Sequence, residues 1–103
     1  EFYAYPNPFS PFNHNQLGGE GYVKFHTGNI VNTQVELDIY NFAMEKVFQY
    51  NYDFNLYNGA IKWNGRDMNG VLVDNGVYFI RIKYAPSINK SPQYFWDKLI
   101  VVK

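Results

Sequence analysis

Gln34-Val35-Glu36-Leu37-Asp38-Ile39-Tyr40 sets Val35, Leu37 and Ile39 against Glu36 and Asp38 with a period of two. Successive strand side chains point to opposite faces, so this spacing predicts a β-strand with an apolar face on a core and a polar face toward solvent. Val77 to Tyr84 repeats the form, with Tyr78, Ile80, Ile82 and Tyr84 on one face and Arg81 and Lys83 on the other. Tyr94 to Val102 is rich in β-formers. Working outward from these three strands, Asn41-Phe42-Ala43-Met44-Glu45-Lys46 is a hairpin connection into a strand at Val47 to Tyr52. Tyr22 to Thr27 and Ala60 to Trp63 are further strands, each preceded by a glycine-bearing turn. Asn64-Gly65, Asn69-Gly70 and Asn75-Gly76 mark tight turns, because Asn and Gly accept positive φ at little cost. No segment sustains helical spacing. About seven short strands with turns at roughly ten-residue intervals is the pattern of an all-β, immunoglobulin-like antiparallel β-sandwich. Its expected core is Trp63, Tyr78, Ile80, Val35, Leu37 and Ile39.

Composition limits what such a sandwich does. A chain of 103 residues supports a single domain, which we take as residues 1–103. It contains no cysteine, which removes disulfides, thiolate nucleophiles and cysteine metal sites. Nine basic residues balance nine acidic ones and are scattered singly, so there is no electrostatic footprint for phosphate backbones, and nucleic acid is not an expected partner. The chain opens on Glu1-Phe2-Tyr3, without a basic and apolar leader, and reads as a piece of a longer protein. Tyr5-Pro6-Asn7-Pro8-Phe9-Ser10-Pro11-Phe12-Asn13 carries three prolines, which fix φ and remove amide donors. It is expected to run extended along an edge, pinned by Phe9 and Phe12.

The residue types that carry chemistry are dispersed. Asp67-Met68-Asn69-Gly70 resembles part of a calcium loop, but with Gly70 at the sixth position the first and twelfth ligands would be Gly65 and Gly76, which have no side-chain oxygen. A turn is the reading, with a weak calcium site at Asp67 and Asp74 left open. His14 and His26 are the only histidines, too few for zinc. Glu36 and Asp38 share a strand face that the alternation assigns to solvent, so they are not expected to form a catalytic carboxylate pair. The expectation is a non-enzyme without cofactor. Ten Tyr, nine Phe and two Trp exceed what a core this small hides. Tyr50, Tyr52, Phe54 and Tyr57 are therefore either cross-strand packing pairs or rings available to stack on sugars.

Five blocks in order carry a resemblance: Tyr5-Pro6-Asn7-Pro8-Phe9; Val35 to Asn41 with Lys46-Val47; Ile61-Lys62-Trp63-Asn64-Gly65-Arg66-Asp67-Met68-Asn69-Gly70; Asn75-Gly76-Val77-Tyr78-Phe79; and Lys98-Leu99-Ile100-Val101-Val102-Lys103. Together they resemble the C-terminal sorting domains of type IX secretion cargo and the similar FlgD-like immunoglobulin-like fold. Within them Pro6, Asn7, Pro8, Phe9, Trp63, Gly65, Asp67, Gly70, Gly76 and Tyr78 match motif positions taken as structural. The chain departs from the pattern at Ala43-Met44, where the family usually places a glycine before the basic residue. The resemblance implies a β-sandwich at the end of a larger exported protein of a Gram-negative bacterium. Such a protein passes through the periplasm and an outer-membrane translocon, and is then released or retained at the cell surface. Expected partners are the secretion translocon or sortase components and the parent protein's preceding domains, with Lys98 to Lys103 as the recognised strand, read through exposed edge backbone and shape. An inert spacer and a module that binds polysaccharide are the alternatives.

Overall fold

The computed structural model describes residues 3–11, 21–26, 34–53, 61–84 and 91–103. These residues hold seven strands and no helix: β1 (Tyr3–Tyr5), β2 (Val23–His26), β3 (Gln34–Tyr40), β4 (Lys46–Asp53), β5 (Ile61–Trp63), β6 (Gly76–Tyr84) and β7 (Gln93–Val101). A three-stranded sheet in the order β1-β2-β5 faces a four-stranded sheet in the order β4-β3-β6-β7, with every neighbouring pair antiparallel. This is the expected immunoglobulin-like sandwich; β2 to β7 end within a residue or two of the strands read from the sequence, while β1 was not among them. Phe12, His14, Phe54 and Tyr57 lie outside the described residues.

The alternation of β3 continues across the sheet in register. Leu37 pairs with Ile82, Ile39 with Ile80, and Tyr78 with Leu99, so the apolar face continues over three strands. That face, with Val35 and Val101, closes on Val23, Phe25, Ile61 and Trp63 from the smaller sheet. Trp63 is 1% exposed and meets Phe9, Phe48 and Tyr78 at ring-centroid distances of 6.4, 6.2 and 5.9 Å. Its indole N–H donates to the Arg66 carbonyl at 2.8 Å, so the one polar atom of the ring is satisfied while its body is dry. The Tyr78 hydroxyl donates back to the Asp74 carbonyl at 2.7 Å, a tyrosine corner that holds the entry to β6.

Asp38 corrects the expectation of a solvated face. It is fully buried, on the face of β3 opposite the core. In the register Asp38 lies across from Arg81 on β6, and Arg81 from Trp96 on β7. The large side chains of neighbouring strands therefore close over a short one.

The β3–β4 hairpin accommodates the missing glycine by strain. Met44 takes φ 64°, the left-handed conformation that glycine adopts freely and other L-residues resist. Around it the Asn41 N–H donates to the Glu45 carbonyl, the Met44 N–H to the Asn41 carbonyl, and the Glu45 N–H to Asn41 Oδ1, each at 2.9 Å. This is a three-residue hairpin loop with its left-handed residue in third place, and a register shift follows between Ile39 and Tyr40.

Candidate functional site

The Pro6-Asn7-Pro8-Phe9 block, Gly65 and the terminal strand meet at one edge. After β1 the chain bends through Pro6-Asn7-Pro8, and Phe9 forms an isolated parallel bridge to Val101. The segment thus does lie on an edge, as its prolines require, but it crosses from the smaller sheet to the edge of β7 instead of running straight. The Phe9 N–H donates to the Ile100 carbonyl at 2.8 Å, and the Val102 N–H donates to the Phe9 carbonyl at 2.9 Å. Asn7 acts as one more peptide unit: its Oδ1 accepts from the Ile100 N–H at 3.0 Å and its Nδ2 donates to the Lys98 carbonyl at 2.9 Å. The Asp97 carboxylate completes the seam, accepting from the Lys98 N–H at 2.8 Å and from the Ala4 N–H of β1 at 3.2 Å.

Gly65 makes the second half of this lock. It is buried with φ 81°, and a Cβ there would stand 3.2 Å from the Phe9 ring and from Pro11. The bare backbone at Gly65 leaves the space that Phe9, fully buried, occupies beside Trp63. Asp67 closes the adjoining loop: its Oδ1 accepts from the Asn69 and Val71 amides at 2.9 and 3.0 Å, while Gly70, at φ 80°, donates its N–H to the Asp67 carbonyl at 3.0 Å. Two amides occupy that oxygen as in an Asx turn, and among the described residues no three acidic or histidine groups gather to hold a metal ion. Gly76 opens β6 beside Val101, and Asn75 Oδ1 accepts from the Lys103 N–H at 2.8 Å.

Of the C-terminal stretch, Leu99 and Val101 point into the core and are fully buried. Lys98, Ile100, Val102 and Lys103 are exposed, Ile100 at 40% and Val102 at 49%. The backbone edge over residues 98–102 is taken by Asn7, Phe9 and Asp97, which corrects the expectation of an open edge there: what this strand offers is side chains. The opposite edge of the same sheet is covered as well. Met68 donates its N–H to the Val47 carbonyl at 3.2 Å, and its sulfur stands 3.3 Å from the Gln49 N–H. Over residues 98–102 and at Val47 and Gln49, these contacts take up edge groups that would otherwise invite sheet-to-sheet aggregation.

A second cluster occupies the outer face of the four-stranded sheet. Arg81 bonds Asp38 Oδ2 at 2.6 Å and reaches Glu36 at 3.4 Å, and Lys46 Nζ stands 3.2 Å from Asp38 Oδ1. The Arg81 guanidinium is also within 6 Å of the Tyr40, Tyr94 and Trp96 ring centroids, and Tyr40 stacks on Trp96 at 5.8 Å. Burial pushes the Asp38 carboxyl up, but hydrogen bonds from Glu36, Arg81 and Lys46 outweigh it and hold the group below its ordinary value. Glu36 moves the other way, raised by its hydrogen bond with Asp38 and by burial, and the bond to Asp38 raises Arg81. The cluster locks charge in place. Tyr50 and Tyr52, singled out as possible sugar platforms, lie on the inner side of β4, where Tyr52 is buried and Tyr50 is 54% exposed. The roles of Asn7 and Asp97 at the seam have no local signal in the sequence, because each depends on a partner chosen by the fold.

No protein-family model matches the sequence, and no curated protein does. Solved structures share its fold. Over 99% of this chain, with a TM-score of 0.60 and 20% identity, it is similar to part of PorZ of Porphyromonas gingivalis, described as an essential bacterial surface component of the type-IX secretion system. Over 98% of the chain, with a TM-score of 0.64 and 23% identity, it is similar to part of dimeric latent PorU from the same organism. The chain spans 11% of the first protein and 9% of the second, and at these identities the likeness establishes a common sandwich.

Proposed function

We propose that this sandwich is a non-catalytic C-terminal sorting domain of type IX secretion cargo, carried at the end of a larger protein to the surface of a Gram-negative bacterium. The observation that carries this reading is the fold held in common, over nearly the whole chain, with part of a type-IX secretion component. The motif blocks support it, since the Pro-Asn-Pro-Phe segment, the Trp-Asn-Gly turn and the terminal strand assemble into one seam. In this reading the translocon recognises the exposed side chains Lys98, Ile100, Val102 and Lys103 on a strand whose edge is already closed. Recognition then depends on surface chemistry displayed by a folded domain and not on strand addition.

The test is a transplant. Fused to the C-terminus of a periplasmic reporter in a host with the type IX machinery, the intact chain is expected to carry the reporter out. Lys98→Glu with Lys103→Glu should fold and leave the reporter inside. Normal export of the folded double variant would show that these lysines are not read. Failure of the intact chain, beside a known sorting domain that succeeds, would leave the spacer reading in its place.

A further inference from the structure

Among the described residues an open cavity of about 340 Å³ lies beside Trp63, lined by Tyr22, Phe48, Tyr50, Tyr52, Lys62 and Asn64 together with Trp63 itself. Tyr50 pairs with Leu37 and so lies on the inner side of β4, yet it keeps 54% of its surface in water because β4 and β5 are both sheet edges here. The wall is built in advance. The Tyr52 hydroxyl donates to the Lys62 carbonyl at 3.0 Å and accepts from the Lys62 N–H at 3.3 Å, and the Tyr50 ring meets Tyr52 edge-on at 4.7 Å. A fixed aromatic wall loses little conformational freedom when it binds.

Charge distinguishes this cavity from a packing fault. Lys62 Nζ lies 4.6 Å from the Tyr22 ring centroid and Lys24 Nζ 5.7 Å from it, and among the described residues neither ammonium meets a carboxylate. Asn64 Oδ1 accepts from the Arg66 N–H at 3.1 Å, which leaves the Asn64 amide hydrogens to donate. Aromatic surface, an amide donor and the Lys62 ammonium, which meets no carboxylate among the described residues, thus converge on a volume at the lower end of the roughly 300–1,000 Å³ of small-ligand pockets.

We propose that this cavity binds a sugar ring of an acidic polysaccharide, a uronic acid unit. A pyranose presents an apolar face of C–H bonds, which the negative face of a tyrosine attracts, and a rim of hydroxyls for an amide to bond. The uronate carboxylate supplies a counter-charge for Lys62 on the rim. An extended peptide fits less well, because such ligands bind chiefly through main-chain hydrogen bonds to a sheet edge, whereas this volume offers ring faces and side-chain donors. The cavity and the C-terminal strand lie on different elements, so this binding does not depend on the secretion role.

The 103-residue chain is titrated with oligogalacturonate, with a neutral cello-oligosaccharide of equal length and with poly-glutamate, following tyrosine fluorescence and amide chemical shifts. Oligogalacturonate is expected to bind saturably and move the Tyr50, Lys62 and Asn64 resonances, with the other two polymers at least roughly ten-fold weaker. Tyr50→Ala and Lys62→Gln should each weaken it roughly ten-fold, Lys62→Gln with Tm unchanged because its side chain is exposed. If Tyr50→Ala unfolds, Lys62→Gln on the rim still decides the matter. Absence of saturable binding up to roughly 10 mM, equal affinity for either control polymer, or indifference to Lys62→Gln would overturn the proposal.

Discussion

On its inner face the four-stranded sheet sets Val35, Leu37, Ile39, Ile80, Ile82, Leu99 and Val101 against the smaller sheet, none more than 1% exposed. On its outer face the same strands bury Asp38 as completely, beneath Arg81, Lys46 and a stacked Tyr40 and Trp96. The inner face is held by exclusion of water and needs only shape. The outer face holds a desolvated charge that must be paired and bonded to stay. Strand alternation therefore assigns polarity to a face, while the reach of cross-strand neighbours decides whether that face is wet.

Substitutions on the two faces should separate these modes. Trp63→Ala empties the centre of the inner core and should cost about 3–5 kcal/mol in chemical denaturation; a wild-type unfolding curve would show that the inner face does not dominate. Asp38→Ala leaves Arg81 and Lys46 without their shared carboxylate. Since those side chains are 24% and 42% exposed, water compensates in part, and the expected loss is about 2–3 kcal/mol. Changing Asp38→Leu together with Arg81→Met should recover most of that loss if pairing, and not packing, is what the outer face requires.

Acid sharpens the same contrast. The folded-state value of Asp38 is depressed, so its stabilisation is complete above the ordinary 3.8 and is lost as pH falls through the lower value. Glu36 is raised above its ordinary 4.5, so its contribution has the opposite sign, present at low pH and lost as pH rises. Melting followed below pH 4 should show a steeper decline in wild type than in Asp38→Asn; parallel curves would mean the outer carboxylate is not linked to folding. A smaller effect belongs to neither face. Met44→Gly in the connecting loop should stabilise by about 1 kcal/mol, and no gain would place the strain elsewhere. Smallest of all, Lys98→Glu with Lys103→Glu should change stability by about 0.5 kcal/mol, which makes it a clean probe of export.

Strands β2 to β7, the inner core and Trp63 were legible in the sequence because period-two spacing and Asn-Gly turns are local signals, whereas β1, three residues long, was not. The departure at Ala43-Met44 was legible too, and the structure assigns it a backbone cost at Met44. Asp38 was misread because the residue that buries and pairs it, Arg81, is 43 positions away. The seam was hidden for the same reason. Asn7 reads as a turn residue within a proline run, and only the fold brings its amide to Lys98 and Ile100. The cavity beside Trp63 is lined from β4, β5 and the residue before β2, a grouping that no single strand encodes.

The seam also sets a clock on folding. Asn7 bonds to positions 91 and 93 residues further along the chain. At roughly 5–20 residues per second of synthesis, the proline segment waits roughly 5–20 s on the ribosome before the strand it must join has been made. Contacts of such long range are the last to offset the entropy of loop closure. The sandwich is thus completed only after translation has passed its final strand, and until then Phe9, without the strand it bridges, is open to whatever chaperone or membrane surface meets the emerging chain.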